Sequence, residues 1–163
     1  MTESHMMGNV NLAAVASCER DGGTPVRQST VALTDVESVQ DYIAHIDFSL
    51  LKEKLSLPAE EGGEAWSAEV TDHVEVKYKR WLLLKWKNEN VLIPPPMDVD
   101  AFWHGHILET QSYWRDCLVL FGKYLHHYPY FGIRGKADKE KLERSFENTV
   151  RLYEEEYGED IRN

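Results

Sequence analysis

Apolar residues recur at intervals of three and four from about residue 36 to residue 157, and no segment alternates apolar with polar residues. That spacing places side chains on one face of an α-helix, whereas a half-buried strand needs strict alternation. Pro58 and the run Pro94 to Pro96 interrupt the pattern, because proline cannot continue a helix interior. The sequence therefore predicts an all-α protein, a single-domain bundle of about five helices with a flexible N-terminal arm.

Capping signals set the predicted helix boundaries. Thr34, with Glu37 three residues later, has the spacing of a capping box and predicts the first helix start. Asp98 is the predicted N-cap of a helix that runs to about Phe121, where Gly122 stops it. The other predicted helices are a short one capped by Asp47, a long amphipathic one from Trp66 to about Lys87, and a last one from Ala137 to Tyr157.

The domain organisation follows from composition along the chain. Residues 1–33 are rich in glycine, serine, threonine and asparagine, which predicts a flexible N-terminal arm. Residues 34–160 are the predicted α-helical domain, long enough to form one stable core without a disulfide or a structural metal. Cys18 and Cys117 lie in separate segments, as expected for reduced thiols in the cytoplasm.

Charge and hydropathy exclude two classes of partner. The formal net charge of −10 disfavours a broad basic surface for nucleic acid or for anionic lipid. The longest uninterrupted apolar run, Trp81 to Leu84, is far too short to span a bilayer, and the N-terminus lacks a signal-peptide pattern. We therefore predict a cytoplasmic protein whose partner is a small molecule, a peptide or a protein.

Residues 98–130 hold four of the seven histidines: His104, His106, His126 and His127. Imidazole is a favoured ligand of zinc, copper, nickel and iron, and a helix facing a histidine-bearing loop can bring several imidazoles together. The sequence therefore predicts a divalent transition metal site with these four ligands. Zinc is the first choice, and copper, iron and nickel are alternatives.

Helix geometry restricts how the four histidines can combine. Two residues of helix rotate a side chain by about 200°, so His104 and His106 bind one ion only if Gly105 permits a distortion. Otherwise His106, which falls on the core-facing stripe, would pair with His126 or His127. Cys117 lies eleven residues beyond His106, roughly 16 Å along a straight helix, too far to share a coordination shell.

Three neighbouring residues have predicted supporting roles. Asp100 and Tyr113 would form the second shell, with Asp100 orienting one histidine by hydrogen bonding. Glu109 would be a further ligand or a catalytic general base. Metal-assisted hydrolysis and oxidation are both open reaction classes, and so is a site without catalysis.

The same residues also permit a purely structural interpretation. His106 could be a core histidine bonded to a buried carbonyl or to Tyr113, with His104 paired to Asp100. The protein would then be a helical interaction module whose tryptophan- and tyrosine-rich surface binds a peptide or protein. A third hypothesis is a cysteine-dependent enzyme in which Cys117 acts with His106 or His127, although a thiol on an apolar stripe is usually inert.

A second acidic and histidine-bearing segment lies on the long predicted helix, at Glu69, Asp72, His73 and Glu75. Bundle di-iron sites use Glu-x-x-His pairs from facing helices, and this segment only approximates that pattern. We therefore interpret it as a solvated acidic helix face.

Residues 99–117 match the block V-D-x-x-W-H-x-H-x-x-x-T-x-x-Y-x-x-x-C at every position, and a His-His-x-Pro segment follows at 126–129. With Tyr78 to Leu82 upstream, the sequence resembles the glycine-rich-domain-like family of plant proteins and short bacterial relatives over roughly residues 45–160. The resemblance implies that Asp100, Trp103, His104 and His106 act together. It does not imply a particular reaction.

Overall fold

The computed structural model describes residues 32–163 of the chain. This part is entirely helical, which confirms the predicted all-α class, and it contains no β-strand. Six α-helices and one 3₁₀ turn after α2 follow in chain order: α1 Val36–His45, α2 Ser49–Ser56, the turn Ala59–Glu61, α3 Ala68–Lys87, α4 Met97–Leu108, α5 Thr110–Phe121 and α6 Lys136–Tyr157.

Helix α3 is the central element of the bundle and packs against α1, α2, α4 and α6. Ser67 caps it by accepting a hydrogen bond from the Val70 amide at 3.3 Å. An acidic residue in its first turn and basic residues in its last turn oppose the helix dipole. Its inner face contributes Tyr78 and Trp81 to the core, and the Trp81 indole N–H donates to the Ile93 carbonyl at 3.1 Å. The largest fully buried side chains include Trp81, Tyr78, Tyr113, Tyr153 and Phe102.

The prediction of one helix from Asp98 to Phe121 is wrong, because Glu109 interrupts it and divides it into α4 and α5. The backbone there leaves the helical region, with φ −79° and ψ 61°. In a straight helix, His106 and Asp116 would be about 15 Å apart along the axis, yet their side chains lie 3.1 Å apart. The break therefore turns α5 back onto α4.

Three predicted caps are displaced along the chain. Phe48 rather than Asp47 is the N-cap of α2, although the Asp47 carboxylate accepts from the Ser49 amide at 3.0 Å. Asp35 rather than Thr34 caps α1, accepting from the Ser38 amide at 2.8 Å. Helix α4 begins at Met97, one residue before the predicted cap Asp98, because the prolines end at Pro96. Asp98 instead pairs with the buried ammonium of Lys77 at 2.6 Å, so an interhelical contact replaces the predicted cap.

Gly122 ends α5 in the left-handed conformation with φ 66°, as predicted from its position after the last apolar residue. Residues 122–135 then form a connecting loop before α6.

The predicted arm, residues 1–33, lies outside the described residues except for its last two. At that boundary, the Leu33 amide donates to the Val119 carbonyl at 2.9 Å. The division into an arm and a domain stays a prediction. Within residues 32–163, every helix is too short or too polar to span a bilayer.

Candidate metal centre

Asp100 and His104 lie one turn apart on the outer face of α4. Residues four apart on a helix share a face, so the two side chains can meet. The Asp100 carboxylate lies 3.5 Å from the His104 Nε2 atom, and the His104 side chain is 51% exposed. Helix geometry alone therefore supplies a carboxylate and an imidazole side by side at the surface.

His127, on the 122–135 loop, adds a second imidazole to this pair. Its Nε2 atom lies 3.1 Å from the Nε2 atom of His104 and 3.2 Å from Oδ1 of Asp100. The His127 ring packs edge-on against buried Trp103, with 4.7 Å between ring centroids. The side chain is only 18% exposed, so its position is set by packing as well as by hydrogen bonding.

The three possible ligand side chains form a small triangle. The two Nε2 atoms lie 3.1 Å apart, Oδ1 of Asp100 lies 3.2 Å from His127, and Oδ2 lies 3.5 Å from His104. One ligand atom from each side chain can be chosen so that all three lie within 4.8 Å of one another. Zinc–ligand bonds of about 2.0–2.1 Å in a tetrahedron would separate neighbouring ligand atoms by roughly 3.3 Å. Asp100, His104 and His127 form the one group of three or more metal-ligating side chains found within residues 32–163, and they could hold a metal ion.

The chemistry of the two neighbouring Nε2 atoms, of His104 and His127, is consistent with metal binding. A hydrogen bond between two imidazole nitrogens requires one to carry a proton and the other to lack it. Metal ligation instead needs both Nε2 atoms unprotonated and directed at a common point. The Asp100 carboxylate beside them would supply a negative charge to balance a cation.

His106 points into the core, as its position on the apolar stripe predicts, and the structure does not bring it to His104. The α4 helix is regular here, and the two side chains diverge. The His106 Nε2 atom lies 3.1 Å from Oδ2 of Asp116, and its Nδ1 atom lies 2.8 Å from the Tyr78 hydroxyl. Both ring nitrogens are therefore engaged in hydrogen bonds between helices.

Asp116 is the centre of this buried polar network. Besides His106, its carboxylate accepts from the Tyr42 hydroxyl at 2.7 Å and from the Arg115 guanidinium at 3.2 Å. Burial by itself raises the pKa of Asp116, but the hydrogen bonds from His106 and Tyr42, with the Arg115 charge, lower it below the ordinary value. Asp116 therefore holds α1, α4 and α5 together as an ionised carboxylate.

His126 and Glu109 also lie outside the triangle. His126 is exposed, and its ring packs against Tyr124 at 4.9 Å between centroids, whereas the next residue, His127, packs against α4. Glu109 occupies the break between α4 and α5. The roles predicted for His126 as a ligand and Glu109 as a base stay predictions.

Tyr113 and Cys117 lie one turn apart on α5 and contact the loop upstream of His127. The Tyr113 hydroxyl, predicted to support the site, donates to the Leu125 carbonyl at 2.5 Å. The Cys117 Sγ atom accepts from the Leu125 amide at 3.5 Å. Because Cys117 is 2% exposed and burial raises the pKa of its thiol, the structure disfavours a cysteine nucleophile.

The acidic segment on α3 is a surface charge network, as the sequence suggests. Asp72 and Glu75 each lie 2.8 Å from the Lys52 ammonium. His73 contacts a backbone oxygen of Asn163 at 3.0 Å.

Asp100 and Asp116 are the two acidic residues beside the histidines of α4. The sequence predicts Asp100 as a second-shell residue, and its carboxylate lies 3.2 Å from His127 and 3.5 Å from His104. The four-residue spacing from His104 is the signal for that contact. Asp116 has no such signal, because neither a proline nor a glycine marks the break at Glu109 that brings it to His106.

Comparison with known proteins gives one positive finding. Neither the curated proteins nor the solved structures contain a match. A family model described as UCP032817-like matches residues 39–156, and this range includes the whole V-D-x-x-W-H-x-H block. No glycine-rich-domain family model matches, so the resemblance inferred from that block is wrong. The chain belongs to the UCP032817-like family.

Proposed function

We propose that this protein binds one divalent transition metal ion between Asp100, His104 and His127. The convergence of two imidazole nitrogens, 3.1 Å apart, with the two oxygens of one carboxylate, at 3.2 Å and 3.5 Å, is the observation that carries the proposal. Zinc is the first candidate, because two histidines and a carboxylate form one of its catalytic ligand sets.

The number of protein ligands favours a reactive centre over a closed structural one. Structural zinc sites have four protein ligands, whereas catalytic sites have three and leave a position for water or substrate. His104 is half exposed, so a fourth ligand can approach from solvent. A bound metal would lower the pKa of water to about 7 and so supply hydroxide for hydrolysis.

The same donor set permits redox chemistry with a different metal. Two histidines and one carboxylate also form the facial triad of non-haem iron oxygenases. The identity of the bound metal therefore separates the hydrolytic proposal from the oxidative one.

Metal content measured by inductively coupled plasma mass spectrometry tests the proposal. The samples are untagged wild type, His104→Ala, His127→Ala and His126→Ala, purified without added metal or chelator. We expect nearly one ion per chain in the wild type and a large loss in both triangle variants, because each lacks one ligand. His126→Ala is the matched control, since it removes the neighbouring histidine that lies outside the triangle, and it should keep its metal.

Two results would contradict this assignment: a wild type that carries no metal and shows no thermal shift when ions are added, or equal metal loss from the control. The metal-free result would favour the second candidate, a helical interaction module. The surface supports that candidate with several side chains that are at least half exposed: Leu108, Trp114, Tyr128, Tyr130 and Ile133. The His104–His127 contact would then be a hydrogen bond that holds the loop on α4.

A further inference from the structure

Leu125 is the point at which α5 holds the loop that carries His127. Its carbonyl accepts from the Tyr113 hydroxyl at 2.5 Å, and its amide donates to the Cys117 Sγ atom at 3.5 Å. Both of its backbone polar groups are thus bonded to side chains of one helix face. Only His126 lies between Leu125 and His127, so the path of the backbone into His127 is fixed from α5.

The Tyr113 hydroxyl also reaches the other side of the centre. It accepts a hydrogen bond from the Trp103 indole N–H at 2.9 Å, and the Trp103 ring is the surface against which His127 packs. Trp103 directly precedes His104 in the sequence. One hydroxyl group therefore joins the backbone before His127 to the aromatic ring that supports the imidazole.

This arrangement is buried and cannot be replaced by water without rearrangement. Tyr113 is 1% exposed, and Trp103 and Cys117 are also buried. Removing the hydroxyl leaves the Trp103 N–H and the Leu125 carbonyl to find new partners in an apolar environment, which is unfavourable. The loop can relieve that cost by moving away from α5, and His127 would move with it.

We propose that Tyr113 is a positioning residue of the metal centre, which places the His127 imidazole against Asp100 and His104 before an ion arrives. The inference rests on the proposed function. When the loop is already held against α4, metal binding does not have to order the loop. When the loop is not held there, ordering it consumes part of the free energy of metal binding. Supporting residues of this kind commonly change metal affinity by about 10- to 100-fold.

Titration of the metal-free protein with Co²⁺, followed by its visible absorbance, and competition with Zn²⁺ test the proposal. Tyr113→Phe should bind one ion with the spectrum of the wild type, but about 10- to 100-fold more weakly. Tyr153→Phe is the matched control. Tyr153 is equally buried at 1% exposure, but its hydroxyl contacts Arg80 at 3.5 Å, so loss of that hydroxyl should leave the metal affinity unchanged.

The outcomes separate the positioning role of Tyr113 from metal binding itself. Wild-type affinity in a folded Tyr113→Phe variant overturns the positioning role while leaving the metal site intact. A wild type that binds no ion overturns both. If Tyr113→Phe does not fold, Cys117→Ala and Cys117→Ser test the same anchoring of Leu125 to α5 through which Tyr113 is proposed to act. Serine keeps an acceptor for the Leu125 amide and should bind the ion more tightly than alanine. Equal affinities would show that this anchoring does not position His127 and would refute the proposal.

Discussion

At the scale of single residues, Asp116 shows how a buried charge depends on its partners. Its carboxylate accepts hydrogen bonds from His106, Tyr42 and Arg115, and together they outweigh the effect of burial and lower its pKa. A carboxyl whose pKa is lower in the folded than in the unfolded state stabilises the fold above the unfolded value of about 3.9. That stabilisation is lost as the pH falls through the folded pKa.

Asp116→Asn should therefore make the free energy of unfolding less dependent on pH in the acid range. The wild type should lose more unfolding free energy than the variant as the pH falls below about 4, because asparagine does not titrate. At pH 7 the variant should be less stable by about 1–3 kcal/mol, since its amide cannot accept from all three donors. Urea unfolding at a series of pH values measures both differences.

Tyr42→Phe gives a graded control for that experiment. It keeps the Asp116 carboxylate but removes one donor, so the pKa of Asp116 should rise toward its ordinary value and acid destabilisation should begin at higher pH. An equal loss of unfolding free energy at low pH in the wild type and in Asp116→Asn would show that Asp116 does not contribute to acid unfolding.

At the scale of elements, Gly105 sets how closely α2 approaches α4. A Cβ atom at this position would lie 2.3 Å from the Cδ1 atom of Leu51, and Leu51 is itself fully buried. The sequence suggested that Gly105 could distort the helix to bring His104 and His106 together. The structure shows a regular helix in which the missing side chain makes room for Leu51.

Gly105→Ala should destabilise the wild type, because forcing a methyl group into a packed core costs about 1–3 kcal/mol. The gain in helix propensity, about 1 kcal/mol, reduces this cost but does not exceed it. In a Leu51→Ala background the steric conflict is absent, so the same substitution should become stabilising. Urea unfolding of the four proteins in this double-mutant cycle measures the coupling. An equal effect of Gly105→Ala in both backgrounds would contradict the packing argument.

At the scale of the whole molecule, the proposed ion connects two parts of the chain that are far apart in sequence. Asp100 and His104 belong to α4, whereas His127 lies on the 122–135 loop after α5. An ion held by all three binds only the folded arrangement, since the unfolded chain does not keep these groups together. Metal binding should therefore add to the stability of the entire bundle.

Added Zn²⁺ should raise the unfolding free energy of the wild type by about 2.7 kcal/mol when the free ion is at 100 times its Kd. His104→Ala should show little of this increase, and a chelator should reverse it in the wild type. Thermal unfolding at several free Zn²⁺ concentrations gives the measurement. Equal stabilisation of His104→Ala would place the ion elsewhere.

Much of the fold could be predicted because helix formation depends on local patterns. The three- and four-residue spacing on α3, the proline run before α4 and the glycines after α5 and α6 act within a few residues of where they stand. The break at Glu109 could not be predicted, since no local residue requires it. It is favoured by contacts formed only after the chain turns back, such as that between His106 and Asp116.

Local sequence patterns are sufficient to predict the helical class, the core-facing position of His106 and the four-residue spacing of Asp100 and His104. Each of these is fixed by the geometry of a single helix. The folded chain is needed to see that His127 joins Asp100 and His104, while His106 lies with Asp116. Those groupings depend on the direction in which α5 and the following loop return to α4, and that direction is set by long-range packing rather than by neighbouring residues.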